Sequence, residues 1–496
     1  MKKFFIHIAV IICACLTAFS CERENIREGS VGNGECTVDL NFGYRNPATI
    51  NVTTKSTLDI VPESRVLNMF VYIFVNGKRY YAHYFDSSEQ YDSVSDFQDK
   101  NCWSRHIEWC YKFRPQDMSY EEYVRSYENL ITQFNPVSFD PETWAKAAKY
   151  AGMKYMVFTT KHHDGFSMFD TQQNDYKITS DRCPFHTNPK ANIAKELFGA
   201  FRAEGIMPGA YFSIADWYND DYWWDYFPPK DASPNYPIDR FPEKWNRYLE
   251  FLNAQVDELT GGEYGDLQML WFDLATTIPL DNYDRIAATA RKNQSDIMIV
   301  ARSTGTIYEN YLTPEQKIPD MALPYPWESC ITMTHAWSYR PGAQYKPTRT
   351  ILEMLVQIVS RGGNLLLNVG PRPDGTLEDT AYERLREIGD WMQVNSEGIY
   401  GTKPYTICQD GKVCFTTKDG YVYAFYIADE DETEMPSEIT FKGVVPAGQK
   451  NSVTLLGYDR HLAWSGDGEG GLRVVIPEKV RKNKPCEHIW CLKIKL

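Results

Sequence analysis

The segment KYMVFTTKHHDGF (residues 154–166) decides the fold, because an apolar run ends abruptly in two histidines, an aspartate and a glycine. Its first part, residues 154–160, predicts a strand buried inside a sheet. A helix is predicted around residues 190–204, where apolar side chains recur at the spacing of one helix face: Ile193, Leu197, Phe198 and Phe201. A buried strand followed by a helix is the repeating unit of a parallel sheet covered by helices.

The same alternation continues to about residue 400. Further strands are predicted at GIMPGAYFS (205–213), LQMLWFD (267–273), IMIVAR (297–302) and NLLLNVGP (364–371). Further helices are predicted around residues 243–259, 281–292, 348–360 and 377–394. So many units within about 260 residues predict a (β/α)8-like (TIM) barrel rather than an open sheet.

The regions flanking residues 101–402 have a different pattern, which predicts separate domains. Residues 403–496 alternate apolar and polar positions between Gly and Asp turns, as in CFTTKDGYVYAFYI (414–427), and this predicts an antiparallel β-sandwich. Residues 22–100 form an atypical, β-rich N-terminal segment, with a hairpin predicted across Asn76-Gly77.

The first 21 residues, MKKFFIHIAVIICACLTAFSC, are typical of a secretory signal peptide. The apolar part is too short to remain as a membrane-spanning helix. Cys21 lies where bacterial lipoproteins are processed, which predicts an exported protein anchored by lipid at Cys21, in the periplasm or at the outer membrane of a bacterium. Secretion without a lipid remains an alternative.

Composition excludes some partners and favours others. A formal net charge of -14 offers no basic surface for phosphates, so we expect no nucleic-acid partner. The chain is rich in aromatic residues, on whose exposed faces sugar rings stack. The cysteines show no CxxC pair, and neither a zinc site nor a dense disulfide framework is indicated, although Cys408 with Cys414, or Cys486 with Cys491, are candidate pairs.

Polar side chains follow the predicted strands: His162, His163 and Asp164 after the first, Ser213 and Asp216 after the second, Asp273 and Arg302 at the ends of the next two. In a (β/α)8 barrel the carboxyl ends of the strands converge on one mouth, where active sites are built. Residues far apart in sequence are therefore expected to share one pocket.

Two carboxyl groups are the candidates for glycosidic bond cleavage, which needs one to attack or stabilise the anomeric carbon and one to protonate the leaving oxygen. Asp273 ends an apolar strand, and Glu328 lies just before the next strand-like segment. Glu315 is a rival for the second role, and sequence does not rank the two glutamates. The alternative to a catalytic Asp273 is a structural carboxylate that caps the following helix or pairs with an arginine.

His162 and His163 are candidates for binding substrate hydroxyl groups, because a neutral imidazole both donates and accepts hydrogen bonds. Adjacent residues at a strand end point to opposite sides, so we expect the two histidines not to share a metal ion. A metal-dependent hydrolase, and a purely structural histidine, remain as alternatives.

Several blocks resemble the retaining α-L-fucosidases of glycoside hydrolase family 29 over residues 103–405. They are residues 134–166, GAYFSIADW (209–217), MLWFD (269–273), PWESCITM (326–333) and GGNLLLNVGPRPDG (362–375). The resemblance implies a (β/α)8-like domain followed by a β-sandwich, no metal and no organic cofactor. The implied substrate is a terminal α-L-fucose of a fucosylated oligosaccharide or glycoprotein glycan, released through a covalent fucosyl-enzyme.

Carried over to this chain, the resemblance makes Asp273 the nucleophile and Glu328 the acid/base, with Glu315 as the alternative. It implies a set of substrate-binding residues: Glu108, Trp109, His162, His163, Tyr211, Trp271 and Arg302.

The chain also departs from the family. The His-Trp-Gly motif of the usual first barrel strand does not occur in it, Leu274 replaces a glycine, and Ala301 replaces an aspartate. Residues 53–74 faintly resemble fimbrillin-type surface lipoproteins, so the first barrel strand is either absent or formed by residues 68–75. These departures are a reason to expect reduced activity, and they leave a catalytically impaired, carbohydrate-binding surface lipoprotein as the alternative function.

Overall fold

A computed structural model describes residues 122–224, 234, 236–273, 279–302, 306–448, 451–466 and 470–496 in full, and the backbone of residues 35–40, 50–55, 68–75, 78–86 and 120–121. The chain divides into two compact units, Met1–Phe97 and Gln98–Leu496. No helix in the described part of the chain is long and apolar enough to span a bilayer.

The described strands of the first unit form two antiparallel pairs. Strand β1 (Glu35–Leu40) pairs with β2 (Ile50–Lys55), and β3 (Asn68–Val75) pairs with β4 (Lys78–Asp86). The second pair confirms the predicted hairpin, although the turn residues Asn76 and Gly77 themselves lie outside the described residues. The partner of residues 68–75 is thus an adjacent antiparallel strand, and the described pairing does not make them a first barrel strand.

The second unit begins with parallel strands separated by helices, which confirms the predicted alternation. One parallel sheet has the order β5 (Tyr155–Lys161), β6 (Met207–Ser213), β7 (Met269–Asp273), β8 (Met298–Val300). A second parallel sheet pairs β9 (Trp327–Thr332) with β10 (Gly363–Asn368). Among the described residues these ladders form two sheets and no closed barrel.

Seven helices of the described chain accompany these strands. They are α1 (Tyr120–Glu128), α2 (Pro141–Tyr150), α3 (Ile193–Ala203), α4 (Pro242–Thr260), α5 (Leu280–Asn293), α6 (Thr348–Ser360) and α7 (Asp379–Asn395). Helix α3 begins where the side chain of Asn192 accepts a hydrogen bond from the Lys195 backbone N–H. Its buried face carries the four residues predicted from spacing, Ile193, Leu197, Phe198 and Phe201.

The core that positions the site lies between the four-stranded sheet and its helices. Phe212 and Phe272, on neighbouring strands, are fully buried and pack edge to face, with their ring centroids 6.3 Å apart. Leu252 and Val256 of α4 are buried in the same cluster. This packing fixes the strands whose last residues form the site.

The remaining residues form two antiparallel sheets. The first has the order β11 (Lys403–Asp410), β12 (Val413–Lys418), β13 (Tyr421–Ile427), β19 (Ile489–Lys495), β15 (Val453–Leu455), β16 (Tyr458–His461). The second has the order β14 (Glu438–Lys442), β18 (Gly471–Val475), β17 (Ala463–Gly466), and a short helix, α8 (Glu478–Lys482), precedes β19. Phe415 and Phe441, from different sheets, lie 5.4 Å apart in one shared apolar cluster. Cys408, Cys414, Cys486 and Cys491 are free, so neither candidate disulfide is formed.

Helix α7 packs against the first of these antiparallel sheets. Ile388 and Trp391 of α7 share a buried apolar cluster with Phe425 and Ile489. The indole Nε1 of Trp391 donates a hydrogen bond to the backbone carbonyl of Ile489 at 2.9 Å. The helix therefore belongs to the core of the C-terminal sheets as much as to that of the parallel strands.

Candidate active site

Asp273 is the last residue of β7, and the four residues before it are buried. It lies level with Ser213, the last residue of the neighbouring strand β6. The Asp273 side chain is 16% exposed, so the carboxylate is accessible at the carboxyl edge of the sheet. This is the edge at which parallel α/β folds bind their ligands.

Tyr211, Arg302 and His163, among the residues that the structure describes, contact the Asp273 carboxylate. The Tyr211 hydroxyl donates to Oδ2 at 2.6 Å, Arg302 Nε lies 3.2 Å from Oδ1, and His163 Nε2 lies 3.5 Å from Oδ2. Burial raises the pKa of Asp273, but the charges of His163 and Arg302 and the Tyr211 hydrogen bond outweigh it, so the pKa lies below its usual value. The carboxylate is therefore ionised and fixed in direction.

The two histidines converge on this carboxylate. Their ring centroids are 4.2 Å apart, and the His162 ring stacks on Tyr211 at 5.6 Å. The prediction that they point to opposite sides is wrong, because both lie beyond Lys161, where β5 ends, in a turn that brings Gly165 to φ 82°. Alternation across a strand does not extend into that turn.

The ligand atoms of His162, His163 and Asp273 all lie within 4.8 Å of one another, a spacing that a metal ion could bridge. The Asp273 oxygens, however, already contact Tyr211 and the Arg302 guanidinium. A cation placed among them would face a fixed positive charge 3.2 Å from its carboxylate ligand, so the arrangement suits a neutral sugar better.

Trp271 lies between the residues that hold Asp273. Its ring stacks on Tyr211 with centroids 5.4 Å apart, and the guanidinium carbon of Arg302 lies 5.1 Å from its centre. Trp271 is only 4% exposed, so it supports these two residues from below and offers little surface to a sugar. Arg302 itself has φ 53°, a left-handed conformation that does not continue a strand, and β8 ends two residues earlier, at Val300, so the strand is shorter than predicted.

The structure places the two candidate glutamates very differently. Glu328 is the second residue of β9, not a residue before the strand as predicted, and it is 2% exposed. Its Oε2 accepts from the Tyr155 hydroxyl at 2.6 Å and its Oε1 from the Trp271 indole N–H at 3.1 Å. Burial raises the pKa of Glu328 to about 6, although both hydrogen bonds oppose that rise. Because Tyr155 begins β5, Glu328 lies toward the amino ends of the strands, below the site.

Glu315 lies on the accessible side. Its side chain is 41% exposed, and its carboxylate forms an ion pair with the Nη2 of Arg302. Since the same guanidinium contacts Asp273, the two carboxylates lie within the span of one arginine head group. The next residue, Gln316, has φ 51°, so two left-handed residues that are not glycine border this part of the site.

Sequence reasoning missed a buried ion pair beneath the histidines. Lys161 Nζ lies 3.1 Å from Asp216 Oδ2 and 2.9 Å from Gln255 Oε1, and the lysine and aspartate side chains are fully buried. The residue after Asp216, Trp217, donates its backbone N–H to the His163 carbonyl at 2.8 Å. A lysine that directly ends an apolar strand was the available signal. Glu108 and Trp109, also predicted to bind the sugar, lie outside the described residues.

Comparisons with known proteins identify the family of the chain. Residues 80–397 match the model of the family described as Alpha-L-fucosidase, and residues 408–495 match the Alpha-L-fucosidase C-terminal domain. The chain is 29% identical to the tissue alpha-L-fucosidase of Mus musculus over 385 residues, covering 74% of this chain and 80% of that protein. It is 28% identical to the tissue alpha-L-fucosidase of Homo sapiens over 409 residues, covering 78% and 82%.

Among solved structures, the alpha-L-fucosidase isoenzyme 1 from Paenibacillus thiaminolyticus is similar at a TM-score of 0.64 and 32% identity, covering 75% of this chain and 90% of that one. The family match spans more than half of the chain and includes Asp273, Arg302 and the histidine pair. This chain belongs to the alpha-L-fucosidase family.

Proposed function

We propose that the chain is an exo-acting, retaining α-L-fucosidase that removes terminal α-L-fucose from oligosaccharides or glycoprotein glycans, with Asp273 as the nucleophile and Glu315 as the acid/base. The main observation that supports this proposal is that Arg302 contacts both carboxylates, Asp273 at 3.2 Å and Glu315 on the accessible side. Retaining glycosidases need their two carboxyl groups close together, at about 5–5.5 Å.

In the first step an oxygen of Asp273 attacks the anomeric carbon of fucose. The bond to the glycosidic oxygen breaks with its electron pair on that oxygen, which takes a proton from Glu315. Tyr211 and Arg302 keep the attacking carboxylate in position, and so no reorientation is needed at the moment of attack.

In the second step water attacks the same carbon. Glu315, now a carboxylate, takes a proton from that water, and the bond between the anomeric carbon and Asp273 breaks to restore the free carboxylate. His162 and His163 are in place to hydrogen-bond sugar hydroxyls beside Asp273. The mechanism uses no metal and no cofactor.

Glu315 is preferred to Glu328 for the acid/base on access. A group that protonates the leaving oxygen must reach the side from which the rest of the glycan departs, and the Glu315 side chain is 41% exposed. Both oxygens of Glu328 are engaged by Tyr155 and Trp271 inside the sheet.

The proposal extends to the architecture and location of the protein. We infer that the two parallel sheets are parts of one (β/α)8-like barrel, supported by isolated parallel bridges of residues 309–315 to β8 on one side (Ile299 with Glu309) and to β9 on the other (Leu312 with Trp327). Export with a lipid at Cys21 is supported by the sequence MKKFFIHIAVIICACLTAFSC alone. The binding-only alternative is not favoured, because Asp273 and its three partners are all in place.

The test is hydrolysis of an aryl α-L-fucoside followed by NMR spectroscopy of the first anomer released. We expect α-L-fucose first, and no turnover by Asp273→Ala. Release of the β-anomer first would overturn retention, and undiminished turnover by Asp273→Ala would overturn the nucleophile. A wild-type protein that binds fucose without turnover would select the binding-only function.

A further inference from the structure

The proposed mechanism leaves a buried carboxyl group unused. Glu328 is 2% exposed, and apolar and aromatic side chains of the neighbouring strands, among them Trp271 and Val300, are buried around it. Burying such a group costs several kcal/mol unless it is well paired, and apolar residues of similar volume are often as stable or more stable in its place. Stability alone is therefore a weak reason for a glutamate at this position.

The contacts of Glu328 lead directly to the nucleophile. One oxygen accepts from Trp271 Nε1 at 3.1 Å, which fixes how the indole is turned within its plane. That indole is flanked by Tyr211, stacked at 5.4 Å, and by Arg302, at 5.1 Å. These two residues are the ones that donate to the two oxygens of Asp273.

The second oxygen of Glu328 accepts from Tyr155 at 2.6 Å, on the side away from the site. This bond leads away from Asp273, whereas the bond to Trp271 leads toward it. Tyr311 and Cys330 are further titratable groups near this carboxylate. Burial and then the charge of Glu328 raise the pKa of Tyr311. Burial raises the pKa of Cys330, the charge of Arg302 opposes that rise, and the charges of Glu315 and Glu328 add to it. No cation of the described residues is recorded in direct contact with the Glu328 carboxylate.

We propose that Glu328 is a positioning residue for the nucleophile, acting by holding the Trp271 indole against Tyr211 and Arg302. This inference rests on the proposed function, because it gives Asp273 the nucleophilic role and Glu315 the acid/base role. Glu328 touches neither substrate nor the reacting atoms. A misplacement of reacting groups by 1 Å costs about 10²-fold in rate, so a hydrogen bond one layer below the site is enough to matter.

The test compares Glu328→Gln with Glu328→Leu. The glutamine keeps an oxygen for the Trp271 N–H and presents its amide to the Tyr155 hydroxyl, which can accept as well as donate. We expect Glu328→Gln to keep most of the wild-type kcat/KM, and Glu328→Leu to lose about 10²-fold.

The pH profile provides a second readout that a merely structural role would not move. Tyr211 and Arg302 lower the pKa of Asp273, together with His163 and His162, which face it from the end of β5. In Glu328→Leu, Tyr211 and Arg302 are held less firmly against Asp273, and the pKa of Asp273 rises. The acid limb of the kcat/KM profile therefore moves to higher pH. Tyr155→Phe is the matched control, since it removes a hydrogen bond from the same carboxylate but leaves the Trp271 bond, and we expect its acid limb to stay in place.

Should Glu328→Leu fail to fold, Trp271→Phe keeps an aromatic ring while removing the N–H, and the same upward shift of the acid limb is expected. An unmoved acid limb in a folded Glu328→Leu or Trp271→Phe protein would refute positioning. If Glu328→Gln and Glu328→Leu were equally inactive and azide rescued both, Glu328 would be the acid/base, and the proposed positioning role would be refuted. The proposed function fails separately, if the wild type does not cleave the aryl fucoside.

Discussion

Tyr211→Phe is the sharpest probe of how the site prepares its nucleophile. The change removes the hydroxyl that donates to Asp273 Oδ2 at 2.6 Å but keeps the ring that stacks on His162 and Trp271. A hydrogen bond to a charged group contributes about 1.5–3 kcal/mol, and one pKa unit corresponds to about 1.4 kcal/mol. Full loss would therefore raise the pKa of Asp273 by about one to two units.

The direction in which the kcat/KM profile moves depends on the charge state in which Asp273 reacts. In the proposed mechanism Asp273 attacks as a carboxylate, so kcat/KM falls as the pH drops through its pKa, and a raised pKa moves that fall to higher pH. Ser213 Oγ lies 3.1 Å from the Tyr211 hydroxyl, and a water held there can replace part of the lost bond. We therefore expect a shift of about one unit rather than two.

The assay is the pH dependence of kcat/KM on an aryl α-L-fucoside, with thermal unfolding measured in parallel. Tyr236→Phe is the matched control, because its hydroxyl donates over the same 2.6 Å to the Asp221 carbonyl and has no part in the site. If the acid limb of Tyr211→Phe coincides with that of the wild type while its rate falls, the hydrogen bond does not set the state of the nucleophile.

Three further outcomes are expected. Glu315→Ala loses more kcat/KM on substrates with poor leaving groups than on activated aryl fucosides, and azide restores turnover of the activated ones; equal losses across leaving groups would contradict its acid/base role. Lys161→Met removes the cation that faces the buried Asp216 carboxylate, and we expect the free energy of unfolding to fall by about 3–5 kcal/mol in urea titrations. The control is Lys195→Met, in an exposed ion pair, which we expect to lower the free energy of unfolding by less than about 1 kcal/mol. Phe272→Ala leaves a cavity in the core and lowers the free energy of unfolding by about 3–5 kcal/mol. A change below about 1 kcal/mol would show that the core of the sheet is loosely packed.

Local sequence pattern was enough to predict helix α3 and the strand that ends at Asp273. The helical spacing of Ile193 and Phe201 and the apolar run ending in Asp273 are properties of short segments, and the structure confirms both elements. Family resemblance then supplied the roles of the site residues, which stay predictions until tested.

The choice between the glutamates depended on information that is not local. Glu328 and Tyr155 are 173 positions apart, and their 2.6 Å hydrogen bond follows from the positions of β5 and β9 rather than from either segment alone. The sequence pattern placed Glu328 just before a strand, whereas β9 already begins at Trp327 and Glu328 is a buried residue of that strand. The Lys161–Asp216 pair escaped notice for the same reason, since a charge at a strand end reads as exposed until its partner is known.

The packing of helix α7 limits how this protein can be recombined with its relatives. Trp391 and Ile388 complete the apolar core of the C-terminal sheets, so a chimera joined at residue 403 would bring foreign strands against a helix face shaped for the native ones. A crossover placed before Asp379 would transfer the helix together with the sheets it seals. The modular boundary for exchanging segments therefore lies one helix earlier than the change in secondary structure suggests.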